Sequence, residues 1–144
     1  MKFLLTVSFI ALSFLSTAQS AGNKSSDSTY VYVYRAGQLT GSLSNWWIFV
    51  DEQKICKLSN KRFIRVAIKP GKHTISAKLS GVNVFKKETE ADIEAERGKN
   101  YFVACNVKMS LTRARMEMLE VTQSTGVKQM EGMILDNCQE DAMQ

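Results

Sequence analysis

The sequence has little of what most enzyme sites are built from. Its 144 residues include one histidine, His73, and three cysteines, and no serine stands in a G-x-S-x-G motif. No two cysteines have the C-x-x-C spacing of zinc sites, and His73 is not near a cysteine in the sequence. A lone histidine without a nearby nucleophile motif is weak support for acid–base catalysis. We therefore expect no metal and no cofactor, and an enzyme is the least favoured of three functional hypotheses.

Long apolar runs are also scarce, and the main one lies at the N-terminus. Lys2 precedes an apolar run of about thirteen residues that ends at Leu15, and small residues including Ser16 and Ala18 follow. This pattern predicts a signal peptide cleaved after Ala18, with Ala21 as the alternative. No cysteine stands at the cleavage point, so we expect no lipid anchor there. No later uncharged stretch approaches the roughly 20 residues of a membrane span, which predicts a secreted or periplasmic protein without a transmembrane segment.

The chain lacks a strong excess of one charge. Removal of residues 1–18 takes away only Lys2 and leaves 18 basic against 14 acidic side chains, a formal charge of +4. The basic residues are interleaved with acids and form no basic stripe, so nucleic acid is not an expected partner. The remaining 126 residues have the length of one domain with its own core.

Three cysteines, Cys56, Cys105 and Cys138, remain after the predicted cleavage. In an oxidising compartment an odd number allows one disulfide and one free thiol, or an intermolecular bond. Cys105 falls on the apolar face of a predicted strand, where it is most simply a small buried side chain. We therefore favour a disulfide between Cys56 and Cys138 that tethers the C-terminal tail.

Short alternating stretches dominate the rest of the sequence. The chain's only proline, Pro70, begins a turn with Gly71, and the strand that follows alternates polar and apolar residues up to Leu79. Every even position of residues 86–96 is charged, which predicts a strand with one wet face. Residues 30–34 alternate tyrosine and valine, a pattern typical of a central strand covered on both faces.

These patterns divide the chain into four parts. Residues 19–28 are small and polar and predict a disordered lead-in after cleavage. Residues 29–121 predict an all-β fold, a single Ig-like antiparallel β-sandwich of about seven or eight strands. Residues 122–144 change to apolar residues at helical spacing, and we expect a C-terminal arm, either a short helix or an irregular segment, that packs on the sandwich.

Four short motifs, in this order, resemble a bacterial family of exported domains known only as domains of unknown function. They are Y-V-Y-R at residues 32–35, I-F-V-D at residues 48–51, P-G-K-H-T at residues 70–74 and G-K-N-Y at residues 98–101. The central part is also similar to the PEGA module, with its V-x-V-D strand end, hairpin and P-G-x-H-x turn. Glu52 stands where that module usually has glycine. The resemblance implies a small β-sandwich of the cell envelope that acts as a non-catalytic interaction module.

Two adjacent tryptophans are the strongest candidates for a contact site. Neighbouring residues of a strand point to opposite faces, so we expect Trp46 in the core and Trp47 partly exposed or covered by the C-terminal arm. An exposed tryptophan beside tyrosines, here Tyr32 and Tyr34, can stack on sugar rings or anchor a protein partner. We add Arg35 to these candidate contacts and expect it to pair with Asp51 or with the acidic strand.

Three functional hypotheses follow. The first is a protein–protein interaction module of the bacterial envelope, which can use its exposed strand edges. The second is a carbohydrate or cell-wall binding module that uses Trp47 and nearby tyrosines. The third is an enzyme that depends on His73, although His73 is more simply explained as part of a turn-to-strand junction.

Overall fold

The computed structural model describes residues 28–79, 89–110 and 114–138. In these residues two sheets pack face to face and one short helix lies against them, which confirms the predicted all-β sandwich. The predicted signal peptide lies outside the described residues, as do residues 19–27 of the predicted lead-in and the first part of the predicted acidic strand, residues 85–88.

The described part of the chain contains nine strands and one helix. In chain order they are β1 (Thr29–Arg35), β2 (Trp46–Val50), β3 (Gln53–Leu58), β4 (Arg62–Ile68), β5 (Gly71–Leu79), β6 (Glu90–Ala95), β7 (Asn100–Met109), β8 (Ala114–Val121), α1 (Gln123–Met130) and β9 (Ile134–Leu135). One sheet has the order β8-β7-β1-β4-β9 and the other the order β3-β2-β5-β6.

Two strand pairs are parallel, which departs from the antiparallel pairing predicted for the sandwich. Strand β1 is central: it pairs with β4 antiparallel and with β7 parallel, where Val31 lies opposite Tyr101. The short β9 pairs with β4 in parallel. Parallel neighbours in a sheet need a long connection. Between β1 and β7 the chain forms β4 and all four strands of the other sheet, which provide that connection.

Alternation along the strands fills the space between the sheets. In β2 the side chains of Trp46 and Ile48 are fully buried while Trp47 and Phe49 point outward, as predicted for the two tryptophans. Strand β6 buries every second residue and exposes the acidic ones between them, as the sequence pattern predicts. The core includes Val31, Val33, Trp46, Ile48, Leu58, Ile75, Ile93, Val103 and Met116.

The helix of the C-terminal arm packs on the outer face of the five-stranded sheet. The Thr122 hydroxyl caps α1 by accepting a hydrogen bond from the Thr125 amide at 3.4 Å. Gly126 is the buried residue of the helix, and a Cβ there would lie 2.4 Å from the Phe102 ring. The glycine therefore allows the helix to approach β7 closely.

The last described residues of the arm are tied to the β3–β4 hairpin by a covalent bond and by hydrogen bonds. Cys56 and Cys138, the pair favoured from the sequence, form a disulfide with their Cα atoms 4.9 Å apart. The buried Asp136 carboxylate accepts a hydrogen bond from the Ser59 amide at 2.8 Å. Cys105 is a buried free thiol, and burial raises its pKa to about 12, so it is unreactive at neutral pH.

Candidate functional site

The residues predicted to make contacts lie in three different places and do not form one site. Trp47 lies on the outer face of the four-stranded sheet. Tyr32 and Tyr34 point to the outer face of the five-stranded sheet, where the arm covers them. Arg35 is fully buried at the end of β1.

Both tyrosines take part in packing beneath the arm. The Tyr34 hydroxyl donates a 2.5 Å hydrogen bond to Oε1 of Gln129, and burial raises the pKa of Tyr34. The Tyr32 ring stacks on Phe102 with centroids 5.0 Å apart, and Met130 packs against the same cluster. These tyrosines therefore hold the helix in place and do not extend the surface around Trp47.

The guanidinium of Arg35 holds the loop between β1 and β2. Its Nη1 and Nη2 groups donate hydrogen bonds to the carbonyl oxygens of Ser44 and Gly41, while Nε has no hydrogen-bond partner in the described structure. Burial lowers the pKa of Arg35. The predicted ion pair with Asp51 or the acidic strand is wrong, because the guanidinium bonds to loop carbonyls instead.

His73 braces the β2–β3 turn. Its Nδ1 lies 2.6 Å from Oδ2 of Asp51 and its Nε2 lies 2.7 Å from the Lys69 carbonyl oxygen. Acceptors at both ring nitrogens suit the protonated imidazolium, which has two donors. Burial alone would lower the pKa of His73, but the hydrogen bonds to Asp51 and Lys69 and the charge of Asp51 together raise it.

The turn itself explains why Asp51 is needed at this position. Asp51 and Glu52 both have positive φ, 49° and 67°, as a two-residue hairpin turn of type I′ requires. The Asp51 carboxylate accepts hydrogen bonds from the Thr74 amide, at 2.9 Å, and from His73, and these bonds lower its pKa. The arrangement of His73 and Asp51 is that of a turn-to-strand junction, the role that the sequence analysis favoured for His73.

The most distinctive surface surrounds Trp47, and we call it the basic–aromatic face: Trp47, Phe49, Lys54, Lys57 and Lys78. Trp47 lies opposite Lys57 on β3 and Lys78 on β5, and Phe49 lies opposite Lys54. The Lys54 Nζ is 3.4 Å and the Lys57 Nζ 5.6 Å from the Trp47 ring centroid. The Lys78 Nζ is 4.6 Å from the Phe49 centroid. The face therefore combines two aromatic rings with three ammonium groups.

The β6 side of the same sheet face carries acidic side chains. Glu90, Asp92 and Glu94 of the edge strand β6 are exposed there, and Thr74 of β5 donates a 2.8 Å hydrogen bond to Asp92. Strand β5 contributes to both sides of the face, because it carries Lys78 as well as Lys72 and Thr74, which lie opposite Glu94 and Asp92. The sequence analysis identified Trp47 but not its lysine neighbours. These lysines belong to β3 and β5, and the strand register places them beside Trp47.

The described part of the C-terminal arm, residues 122–138, lies on the other sheet and does not cover Trp47, although cover by the arm was one of the two alternatives predicted for that residue. Met130 packs in the Tyr34 cluster on the opposite sheet, and Ile134 is exposed beside β4. The partly exposed state is therefore the alternative that the structure supports, with Lys54 and Lys57 against the ring.

The described residues contain neither a candidate metal cluster nor a membrane-spanning helix. Within residues 28–79, 89–110 and 114–138, no group of three or more His, Cys, Asp or Glu residues is placed to hold a metal ion. No helix in the same residues is long and apolar enough to cross a membrane.

A family model described as "Protein of unknown function (DUF2846)" matches residues 25–117 of the sequence, well over half of the chain. The match includes strands β1 to β7 and the first residues of β8, whereas α1 and β9 lie beyond it. No curated protein matches the sequence. The resemblance to PEGA modules stays a prediction.

Proposed function

The chain belongs to the DUF2846 family of proteins of unknown function, and from this premise we propose that it is an exported, non-catalytic binding module of the bacterial cell envelope. Export is inferred from the predicted signal peptide, residues 1–18. The observation that carries the proposal is the basic–aromatic face, where the Lys54 ammonium lies 3.4 Å from the Trp47 ring centroid.

The position of this face on the fold suits binding. Its side chains come from three neighbouring strands in fixed register, so they are presented by a rigid scaffold. Tryptophan is enriched among the residues that contribute most to protein interfaces. Cation–π attraction strengthens when water is removed, so the contacts of Lys54 and Lys57 with Trp47 gain energy when a partner covers them.

The charge of the face favours an acidic protein partner. Carboxylates that approach from above can pair with the ammonium groups of Lys54 and Lys78 while these remain on their rings. The acidic side chains of β6 would repel such a partner, and this repulsion would fix how the partner is oriented on the sheet. Strand addition at the edge of β6 is disfavoured because its exposed acidic side chains discourage pairing with another chain.

Charge reversal tests this proposal. Envelope extract is passed over the immobilised protein, and recovery of a partner is compared between wild type and the double variant Lys54→Glu/Lys78→Glu. The matched control Lys69→Glu/Lys128→Glu changes the net charge by the same amount at exposed lysines outside the face.

We expect the face variant to lose at least about tenfold in recovery and the control to retain its partner, because only the first reverses charges at the contact. Equal recovery by both double variants, or no partner for wild type, would contradict the proposal.

Glycan binding through Trp47 is the alternative function. It is supported because Trp47 is partly exposed, and it is weakened because neither Tyr32 nor Tyr34 lies on that face. Co-sedimentation with isolated cell wall and insoluble polysaccharides compares wild type with Trp47→Ala. Pelleting that the folded variant loses would place glycan binding first, and absence of pelleting by wild type would remove it.

A further inference from the structure

One end of the sandwich presents leucine side chains to solvent. We call it the loop end and define it by residues 36–45, 59–61 and 107–110. Leu39 is 96% exposed and Leu43 is 99% exposed, and Met109 at the end of β7 is 61% exposed. Single exposed apolar residues are normal on proteins, but two leucines almost without contacts on one loop are not explained by packing.

The leucines occupy two consecutive turns of the loop between β1 and β2. The Ser42 amide donates to the Leu39 carbonyl oxygen at 3.2 Å, and the Ser44 amide donates to the Gly41 carbonyl oxygen at 3.0 Å. Gly41 has a φ of 72° and a Cβ there would lie 2.8 Å from Val107, so the turn requires glycine. The loop therefore has a defined shape from which both leucines project.

The base of the loop is fixed to the rest of the sandwich. The Gln38 amide donates to Oδ1 of Asn60, and Nδ2 of Asn60 donates to the Gln38 carbonyl oxygen, both at 3.2 Å. The Val107 amide donates to Oε1 of Gln38 at 2.8 Å, and the buried Arg35 binds two further carbonyl oxygens of the loop. The exposure of the leucines is therefore not a consequence of a loosely held segment.

The described segments of the loop end carry basic side chains, and one of these pairs with an acidic residue of β8. The three segments of the loop end contain two lysines, Lys61 and Lys108, and no acidic residue. The Lys61 side chain lies beside Gly37, where a Cβ would be 2.5 Å from its Cε, so it borders the loop directly. Lys108 precedes Met109 and lies 3.5 Å from the Glu117 carboxylate on β8.

We propose that the loop end docks on an anionic lipid bilayer, with Leu39 and Leu43 inserted among the headgroups and Lys61 and Lys108 near the lipid phosphates. Apolar side chains with adjacent lysines are the combination that binds the interface of an anionic membrane. A stable protein dimer buries roughly 1,200 Å² or more, which is more than two leucines on a loop tip supply. A bilayer needs no complementary pocket, because its headgroup region adapts to the inserted side chains.

This inference goes beyond the proposed function and uses other residues than the basic–aromatic face. Lipid binding by a few apolar side chains is weak and reversible, comparable to that of a single acyl chain. Docking of the loop end would bring the module to a membrane surface, whereas the basic–aromatic face would select its partner. The two proposals can therefore fail independently.

Vesicle co-sedimentation of the mature protein tests the inference. The vesicles consist of phosphatidylcholine with or without phosphatidylglycerol, and the variant is Leu39→Ser/Leu43→Ser. The matched control is Leu119→Ser/Val127→Ser, which changes two half-exposed apolar side chains outside the loop end. Circular dichroism checks that all variants are folded.

We expect wild type and control to bind vesicles that contain phosphatidylglycerol and the loop variant to partition at least about tenfold less, because it loses its inserted side chains. Failure of wild type to bind these vesicles, or equal binding by the loop variant, would overturn the inference. If wild type is instead a dimer that the loop variant dissociates, and no vesicle binding occurs, the leucines serve self-association and the inference is equally overturned.

A second pair of variants tests the charges. We expect Lys61→Glu/Lys108→Glu to weaken binding to phosphatidylglycerol vesicles several-fold more than Lys54→Glu/Lys78→Glu, although both change the net charge equally. An equal effect of the two would show that only overall charge matters and would contradict docking through the loop end. Since Lys54 and Lys78 belong to the basic–aromatic face, their variant also separates this inference from the proposed function.

Discussion

The end of the sandwich opposite the loop end, which we call the turn end, consists of the turns at residues 51–52, 69–70 and 96–99. It exposes charged and polar side chains such as Glu52 and Lys69, whereas the loop end exposes Leu39 and Leu43. Both ends are braced by side-chain hydrogen bonds to the backbone. At the turn end the Thr29 hydroxyl donates to the Glu96 carbonyl oxygen at 2.8 Å and accepts from the Gly98 amide at 3.0 Å.

At the two ends of the sandwich, anchoring of the backbone and exposure of apolar side chains are independent of each other. Arg35 holds the connection between β1 and β2 by hydrogen bonds, as Thr29 and His73 hold the turns at the other end. The difference is in the side chains that the anchored segments present to solvent. An anchored loop that presents leucine, on a protein whose other end presents charge, is best explained by a surface that the leucines contact.

Removal of the disulfide should have the largest effect on stability and should act near the loop end. Cys56→Ser/Cys138→Ser frees the end of the arm, which also holds the β3–β4 turn through Asp136. Because the disulfide closes a sequence separation of 82 residues, we expect a loss of about 4 kcal/mol in the free energy of unfolding. Urea unfolding of wild type and variant measures this loss. A change below about 1 kcal/mol would show that tethering the arm adds little to the stability of the fold.

Arg35→Ala should have the next largest effect and should break the anchoring of the loop end. It leaves the carbonyl oxygens of Gly41 and Ser44 without their buried donor. We expect a loss of about 2–3 kcal/mol in unfolding free energy, together with faster amide exchange in residues 36–45. Slow exchange in the loop of a folded variant would contradict the anchoring role.

Loss of the His73 imidazole should have a smaller effect, confined to the turn end. We expect His73→Ala to lower the free energy of unfolding by about 1 kcal/mol through loss of its bonds to Asp51 and Lys69. Vesicle binding, which we assign to the loop end, should not change. A variant that unfolds like wild type would contradict a bracing role.

The contribution of His73 to the free energy of unfolding should decrease as the pH rises. The pKa of His73 is raised on folding, so its contribution is complete below the usual value of 6.5 and is lost as the pH rises through the raised pKa. The pKa of Asp51 is lowered, so its contribution is present above the usual value of 3.8 and is lost as the pH falls through the lowered pKa. The stability difference between wild type and His73→Ala should therefore be greater at pH about 5.5 than at pH about 9. A difference independent of pH would contradict the charged pair.

The smallest stability effect should come from the leucines themselves. Leu39 and Leu43 make almost no contacts, so Leu39→Ser/Leu43→Ser should change the unfolding free energy by less than about 0.5 kcal/mol. Thermal unfolding followed by circular dichroism measures this. A loss above about 1 kcal/mol would mean that the leucines pack in the folded protein, which would remove the contrast between the two ends.

Local alternation predicted a large part of the fold. Strand β6 and the opposite faces of Trp46 and Trp47 follow directly from a period of two residues. The parallel pairing of β1 with β7 could not be predicted, because it joins strands far apart in the sequence and depends on how both pack over the other sheet.

The candidate site was less predictable because its contacts are not local. Tyr34 is covered because Gly126 lets α1 approach Phe102, a steric relation that no sequence pattern displays. The partners of Arg35 are backbone carbonyl oxygens, which every residue has, so the expected carboxylate partner was wrong. The lysines around Trp47 could have been found only by aligning β2 with β3 and β5.

A fluorescent label at one position of each end tests the contrast most directly. Leu43→Cys and Glu52→Cys are labelled with an environment-sensitive dye; Cys105 is buried with a pKa of about 12 and does not react. On phosphatidylglycerol vesicles that carry nitroxide lipids, a blue shift and quenching of the dye at residue 43 but not at residue 52 are expected. An unchanged dye at residue 43, or equal changes at both positions, would contradict docking through the loop end.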